Sequence, residues 1–159
     1  MQFLTIGVYG YSEEEFFDAL KLNHVDLFVD IRQRRGVRGK QYSFVNSNYL
    51  QNKLGELGIS YLHEKSLAPT TVIREAQKLS DKQNGVIKST RNELGCIFKD
   101  KYISEILGKF NFSDFISKID EKYINIVLFC VEANPAACHR GLVTEKLKQL
   151  GYTTRHITK

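Results

Sequence analysis

The sequence predicts an α/β fold: a three-layer sandwich with a mainly parallel sheet of about five strands and helices on both faces. Three observations carry that prediction. Short apolar runs rich in β-branched residues alternate with segments whose apolar residues recur every three or four positions, as strand–helix–strand units require. Two prolines and no repeat or low-complexity tract leave the alternation uninterrupted. The run Tyr123–Cys130 (YINIVLFC) is apolar almost throughout, as a strand covered on both sides must be.

With 159 residues, the chain reads as one domain, 1–159, around one sheet. Hydrophobic residues at 42% and charged ones at 26% exclude disordered, collagen-like and coiled-coil chains. The longest apolar run, Ile126–Val131, has six residues, against roughly 20 for a membrane helix, so no membrane partner is expected. The opening MQFLTIGVYG lacks the basic head and cleavage site of a secretory signal, and three cysteines without framework spacing read as free thiols. Both point to the cytoplasm.

Leu4–Val8 is the first strand, ended by Gly7-Val8-Tyr9-Gly10. Ser12 and Glu15 form a capping box for a helix that buries Phe16, Phe17 and Leu20. Asp26–Ile31 is the second strand, completing a βαβ unit of right-handed connection. Leu50, Leu54 and Leu57 mark a helix ended by Gly58, and Ile59–His63 is the third strand. Pro69 opens a helix with Val72, Ile73, Ala76 and Leu79 on one face, stopping near Asn84–Gly85. Residues 85–109 show poor periodicity and are left mixed, without an assigned role. Phe112, Phe115, Ile116 and Ile119 mark a helix, Tyr123–Cys130 the fourth strand, Leu142, Val143, Leu147 and Leu150 the last helix, and Thr153–Ile157 the last strand.

In open α/β sheets ligands bind beyond the carboxyl ends of the strands. The residues expected there are Gly7, Tyr9 and Ser12, then Asp30 and Arg32, then His63 and Glu64, then Cys130, Glu132, Cys138, His139 and Arg140. Asn134 and Pro135 are suited to starting a helix, which would put Cys138, His139 and Arg140 in or just after its first turn. A helix amino terminus favours an anion and lowers a nearby thiol's pKa. Cys138 is then the expected nucleophile or redox thiol with Cys130 as a resolving partner, or the two thiols are metal ligands with His139 as a third. His139 and Glu132 would move protons, and Asp30 would orient the set. Cys-x7-Cys-His is not a usual zinc spacing, with no fourth ligand beyond His63 or His156, so no metal ligands are assigned.

Charge sharpens the substrate. The chain carries 23 Lys+Arg against 18 Asp+Glu, a net +5. Between Asp30 and Glu56 no acidic residue occurs, while Arg32, Arg34, Arg35, Arg38, Lys40 and Lys53 do; the remainder is nearly neutral. Guanidinium groups pair with phosphates and aromatics such as Tyr42 and Phe44 stack on bases. The expected anion-binding set is Arg32, Arg140, Arg34, Arg35 and Arg38, with Ser12 joining by its place after the first strand.

The chain resembles a widespread prokaryotic family, domain of unknown function 488. The likeness rests on Thr5–Ile6–Gly7, Ser12 and Glu14–Glu15–Phe16, Val29–Asp30–Ile31–Arg32, Tyr49–Leu50 and Gly58–Ile59–Ser60–Tyr61–Leu62. It continues in Cys130-x-Glu132 with Pro135 and Cys138–His139–Arg140, and in His156–Ile157. It departs at Leu67–Ala68–Pro69, where many members carry Leu-Gly-Gly, and at Gly141, where a Ser is usual. The resemblance implies an α/β fold, a cytoplasmic location and a polar site shared by Asp30, Arg32, Cys130, Glu132, Cys138, His139 and Arg140. The functional expectation is an enzyme acting on a phosphate-bearing substrate, a nucleic acid or a phosphorylated small molecule, with no cofactor named. A non-catalytic nucleic-acid-binding module using the 32–40 loop and a Cys/His metal-binding protein are the rival readings.

Overall fold

Five short segments, the central three apolar, pair into one parallel sheet, in a computed structural model that describes residues 1–159. The strands are β1 (Gln2–Ile6), β2 (Leu27–Asp30), β3 (Ser60–His63), β4 (Asn125–Phe129) and β5 (Thr154–Ile157), in the order β3-β2-β4-β1-β5. Ile6 lies opposite both Phe129 and Ile157, and Asp30 opposite both Phe129 and His63, so all five strands end along one edge. Six α-helices connect them: α1 (Glu13–Leu22), α2 (Ser47–Glu56), α3 (Thr71–Gln83), α4 (Cys96–Tyr102), α5 (Phe112–Ser117) and α6 (His139–Gln149).

Side chains alternate across a strand, and this divides the core in two. Leu4, Ile6, Phe28, Val127 and Phe129 meet Phe16, Phe17, Leu20, Leu50 and Leu54 of α1 and α2. Phe3, Leu27, Val29, Ile31, Ile126 and Leu128 meet Ile73, Phe98, Tyr102, Phe115, Val143 and Leu147 of α3–α6. The sandwich therefore has helices on both faces, as expected. Phe16 anchors the first side: it is fully buried against the rings of Phe17, Phe28, Phe44 and Phe129, a burial worth roughly 1.5–3 kcal/mol. The Ser12–Glu15 capping box is present at its amino terminus.

From β1 and β2 the chain moves toward the β3 edge through α1 and α2; from β3 and β4 it returns through α3–α6. The two directions part between β2 and β4. That parting is where an open α/β sheet leaves a crevice for a ligand.

The first strand is Gln2–Ile6 in place of the expected Leu4–Val8, and two helix starts and one helix face also need correction. The buried face of α3 is Ile73, Gln77 and Asp81, while Val72 and Leu79 are exposed. Its inner side meets polar backbone: Gln77 Oε1 accepts from Gly95 N at 2.9 Å, and Gln77 Nε2 donates to Asp81 at 2.7 Å. The helix starts after the Thr70 cap and not at Pro69. Residues 85–109, left mixed, contain a 3-10 turn at Lys88–Thr90, α4 and a π-turn at Ile103–Leu107. The segment after Pro135 is a 3-10 turn, Pro135–Ala137, followed by α6 with Cys138 as its extended amino-terminal cap. No helix is long and apolar enough to cross a membrane.

Candidate functional site

The crevice between β2 and β4 is closed by the segment from Cys130 to Arg140. Glycine makes its path possible: a Cβ on Gly7, at the end of β1, would lie 1.8 Å from the Glu132 carbonyl oxygen. The Cys130–Glu132 backbone thus runs past Gly7, just beyond β1, at a distance only glycine allows. Gly141 does the same one layer away, where a Cβ would lie 2.5 Å from the Pro135 carbonyl oxygen. Arg140, fully buried, then locks the loop by donating from Nη1 to the Glu132 carbonyl and from Nη2 to the Ala133 carbonyl at 2.7 Å.

Cys130 at the strand end and Cys138 at the helix cap are both buried, with His139 beside them. His139 Nδ1 lies 3.8 Å from each sulfur. Its Nε2 is 3.0 Å from the carbonyl oxygen of Ile31, just beyond β2; a carbonyl only accepts, so Nε2 carries the proton and Nδ1 faces the thiols. Cys130 Sγ donates to Glu132 Oε2 at 3.2 Å. The sequence-predicted group Cys130, Glu132, Cys138 and His139 thus meets at one point.

Burial would push the Cys138 thiol up, but its hydrogen bond with Cys130 and the nearby His139 and Arg140 hold it well below the usual thiol range. The same thiol–thiol contact, with burial and the Glu132 charge, lifts Cys130 well above it. Burial lifts the Glu132 carboxyl, with Cys138 adding to the effect. Burial would lower the His139 imidazole, but Cys138 and Glu132 raise it on balance.

Two residues that sequence reasoning missed complete the corner. Arg91 donates from Nη1 to Asp81 at 2.7 Å, from Nη2 to Glu132 Oε1 at 3.3 Å, and to the Ala137 carbonyl at 3.0 Å. Lys88 Nζ stands 3.5 Å from the same Glu132 oxygen, half exposed at the mouth. Their segment is pinned to the 134–137 turn by Leu94 N, which donates to the Ala136 carbonyl, and by Asn134, which donates to the Asn92 carbonyl. The only sequence signal was the polar stripe Gln77–Asp81 on the buried face of α3, which requires a polar partner.

Asp30 and Arg32 form a separate knot. Arg32 donates to both Asp30 oxygens, from Nε at 2.8 Å and Nη2 at 2.7 Å, and to the Val45 carbonyl at 3.0 Å. Tyr61 donates to Asp30 Oδ2 at 2.9 Å, and the Arg32 guanidinium lies over the Phe129 ring at 4.6 Å. Arg32 and Arg140, expected to hold an anion, are both buried and bonded to internal acceptors, leaving only Arg32 Nη1 and Arg140 Nε without a partner. His63 faces the Arg32 carbonyl and His156 faces Thr5, so neither joins the cysteines. Ser12 caps α1 at the surface. Arg34, Arg35, Arg38 and Lys40 are exposed on the loop after β2, and none forms a salt bridge.

The loop and the thiol corner are connected through Tyr42. Its ring packs 5.2 Å from that of Tyr9, and the Tyr9 phenol is raised by burial, with Lys88 opposing and Glu132 and Cys130 adding to the shift.

Residues 12–147 match the model of the family described as Domain of unknown function DUF488. The chain belongs to the DUF488 family. No curated protein and no solved structure matches it. The match spans α1, the cationic loop and the whole Cys130–Arg140 corner of this DUF488 chain. Its Gly141 has a local reason: the Pro135 turn packs closer to α6 than a Ser at that position would permit.

Proposed function

We propose that this DUF488 protein is an enzyme acting on a phosphate-bearing substrate, a nucleotide or nucleic acid, at the cluster of Cys130, Glu132, Cys138 and His139. One observation carries the reading: a dense group of reactive side chains lies at the sheet's crevice, and the loop leaving β2 on the same carboxyl edge carries four cations that have no acidic partner. Arg34, Arg35, Arg38 and Lys40 would receive the phosphates, with Lys88 nearest the cluster. Arg32 and Arg140 hold the framework, and Tyr9 and Tyr42 offer ring faces for a base.

The test is turnover of end-labelled single-stranded RNA and DNA and of a nucleotide panel by the wild-type chain and by Cys138→Ser. The reading expects a product with wild type, none with Cys138→Ser, and retained binding by that variant. Binding without product from any of these substrates would make the chain a nucleic-acid-binding module, and absence of both would remove the phosphate reading.

A further inference from the structure

Two sulfurs and an imidazole nitrogen, from Cys130, Cys138 and His139, lie within 4.8 Å of one another in the buried corner. We propose that they bind a zinc ion, with Glu132 as the fourth donor. With four protein donors the site would be structural and Cys138 a ligand, not a free nucleophile, so this proposal competes with turnover at the cluster and leaves phosphate binding by the loop cations untouched.

The distances favour it. With Zn–S of about 2.3 Å and Zn–N of about 2.0–2.1 Å, a tetrahedral site has S···N edges of about 3.6 Å and an S···S edge of about 3.8 Å. His139 Nδ1 lies 3.8 Å from both sulfurs, within a few tenths of an ångström of the required edges, and the sulfurs, within 4.8 Å of each other, need close by no more than about 1 Å. The tautomer is already set: the Ile31 carbonyl takes the Nε2 proton and leaves the Nδ1 lone pair toward the sulfurs. A ligating histidine is held by such a partner in most metal sites. Two thiolates and an imidazole are donors that suit zinc and not magnesium or calcium.

Glu132 supplies what sequence spacing failed to show. Its Oε2 lies 3.2 Å from Cys130 Sγ, while Oε1 is held by Arg91 and Lys88. One oxygen is tied down and the other faces Cys130 Sγ. Two thiolates and a carboxylate exceed the charge of a divalent ion by one, and Lys88, Arg91 and Arg140 border the site with compensating charge. The ligands come from a strand end and a helix cap, and the extended backbone of Cys138, φ −139° and ψ 146°, lets neighbouring side chains converge. That origin explains a ligand spacing unlike those of zinc knuckles.

The full-length chain, purified without chelators, should contain one zinc per molecule. Metal-free protein titrated with cobalt should develop thiolate-to-cobalt charge-transfer absorption and the intense visible bands of a tetrahedral site. Glu132→Gln should alter the visible bands. Arg91→Gln, which keeps every ligand, should weaken zinc binding about 10- to 100-fold. Because Cys138→Ser also changes the buried cap of α6, the wild-type stoichiometry and cobalt spectrum decide. Zinc well below one equivalent after reconstitution, cobalt bound without thiolate absorption, or a Cys130–Cys138 disulfide in protein kept reduced would each overturn the proposal. Oligonucleotide binding, measured on the same samples, reports on the phosphate reading separately.

Discussion

Two groups of arginines stand near the carboxyl edge of the sheet. Arg32 turns back to Asp30 at 2.7 Å and lies flat over Phe129, and Arg140 clamps the carbonyls of Glu132 and Ala133. Arg34, Arg35 and Arg38 extend into solvent without an acidic partner. Partners separate the two groups, because a buried guanidinium is stable only when paired and hydrogen-bonded, whereas an exposed one remains available to a ligand. Charge counted along the chain does not distinguish the two roles.

The largest expected effect comes from breaking the buried group. Arg32→Met leaves the buried Asp30 carboxylate without a charged partner, held only by the Tyr61 hydroxyl and the residue-32 amide, and should destabilise the fold by about 3–5 kcal/mol, read from the denaturant midpoint. The double change with Asp30→Leu should cost less than Arg32→Met, since no unpaired charge remains. Next, Gly7→Ala should cost about 1–3 kcal/mol, because the new Cβ would collide with the Glu132 carbonyl; thermal unfolding measures it. An unchanged melting temperature would mean that the passage of the Cys130–Glu132 loop past Gly7 is looser than described.

A smaller effect connects the groups through Tyr61. Burial, then the Asp30 charge, pushes its phenol up to about 12, and Arg35 works against both. A folded-state value above the ordinary 10 contributes stability that is complete below about pH 10. That contribution is lost as pH rises through 12. Phenolate absorbance should show one late-titrating tyrosine that Tyr61→Phe removes, and Arg35→Ala should move its titration higher still. The smallest effect is on the stability of the exposed group: Arg34→Ala, Arg35→Ala and Arg38→Ala should each change it by no more than about 0.5 kcal/mol.

Much of this architecture is legible in the sequence, for a physical reason. β1, β2, β4 and α1 bury regular apolar patterns, and the Ser12–Glu15 cap is a local signal. The Cys138–His139–Arg140 corner is legible because helix-start residues precede reactive ones. Long-range contacts made the rest unreadable. Gln77 and Asp81 occupy the inner face of α3 because Arg91 and the Gly95 amide wait there, and nothing local to residues 85–95 announces Arg91. The break between the Pro135 turn and α6 depends on the approach of Pro135 to Gly141. Glu132 joins the cysteines because Gly7 lets its backbone pass just beyond the end of β1.

The most direct test of the division between framework and ligand-binding arginines is the salt dependence of oligonucleotide binding. A single strand held by four loop cations should give a log–log slope of about −3, at about −0.7 per phosphate neutralised. Replacing Arg34, Arg35 and Arg38 together by Ala should reduce it by about 2, with the fold intact. An unchanged slope in the triple variant would contradict the account.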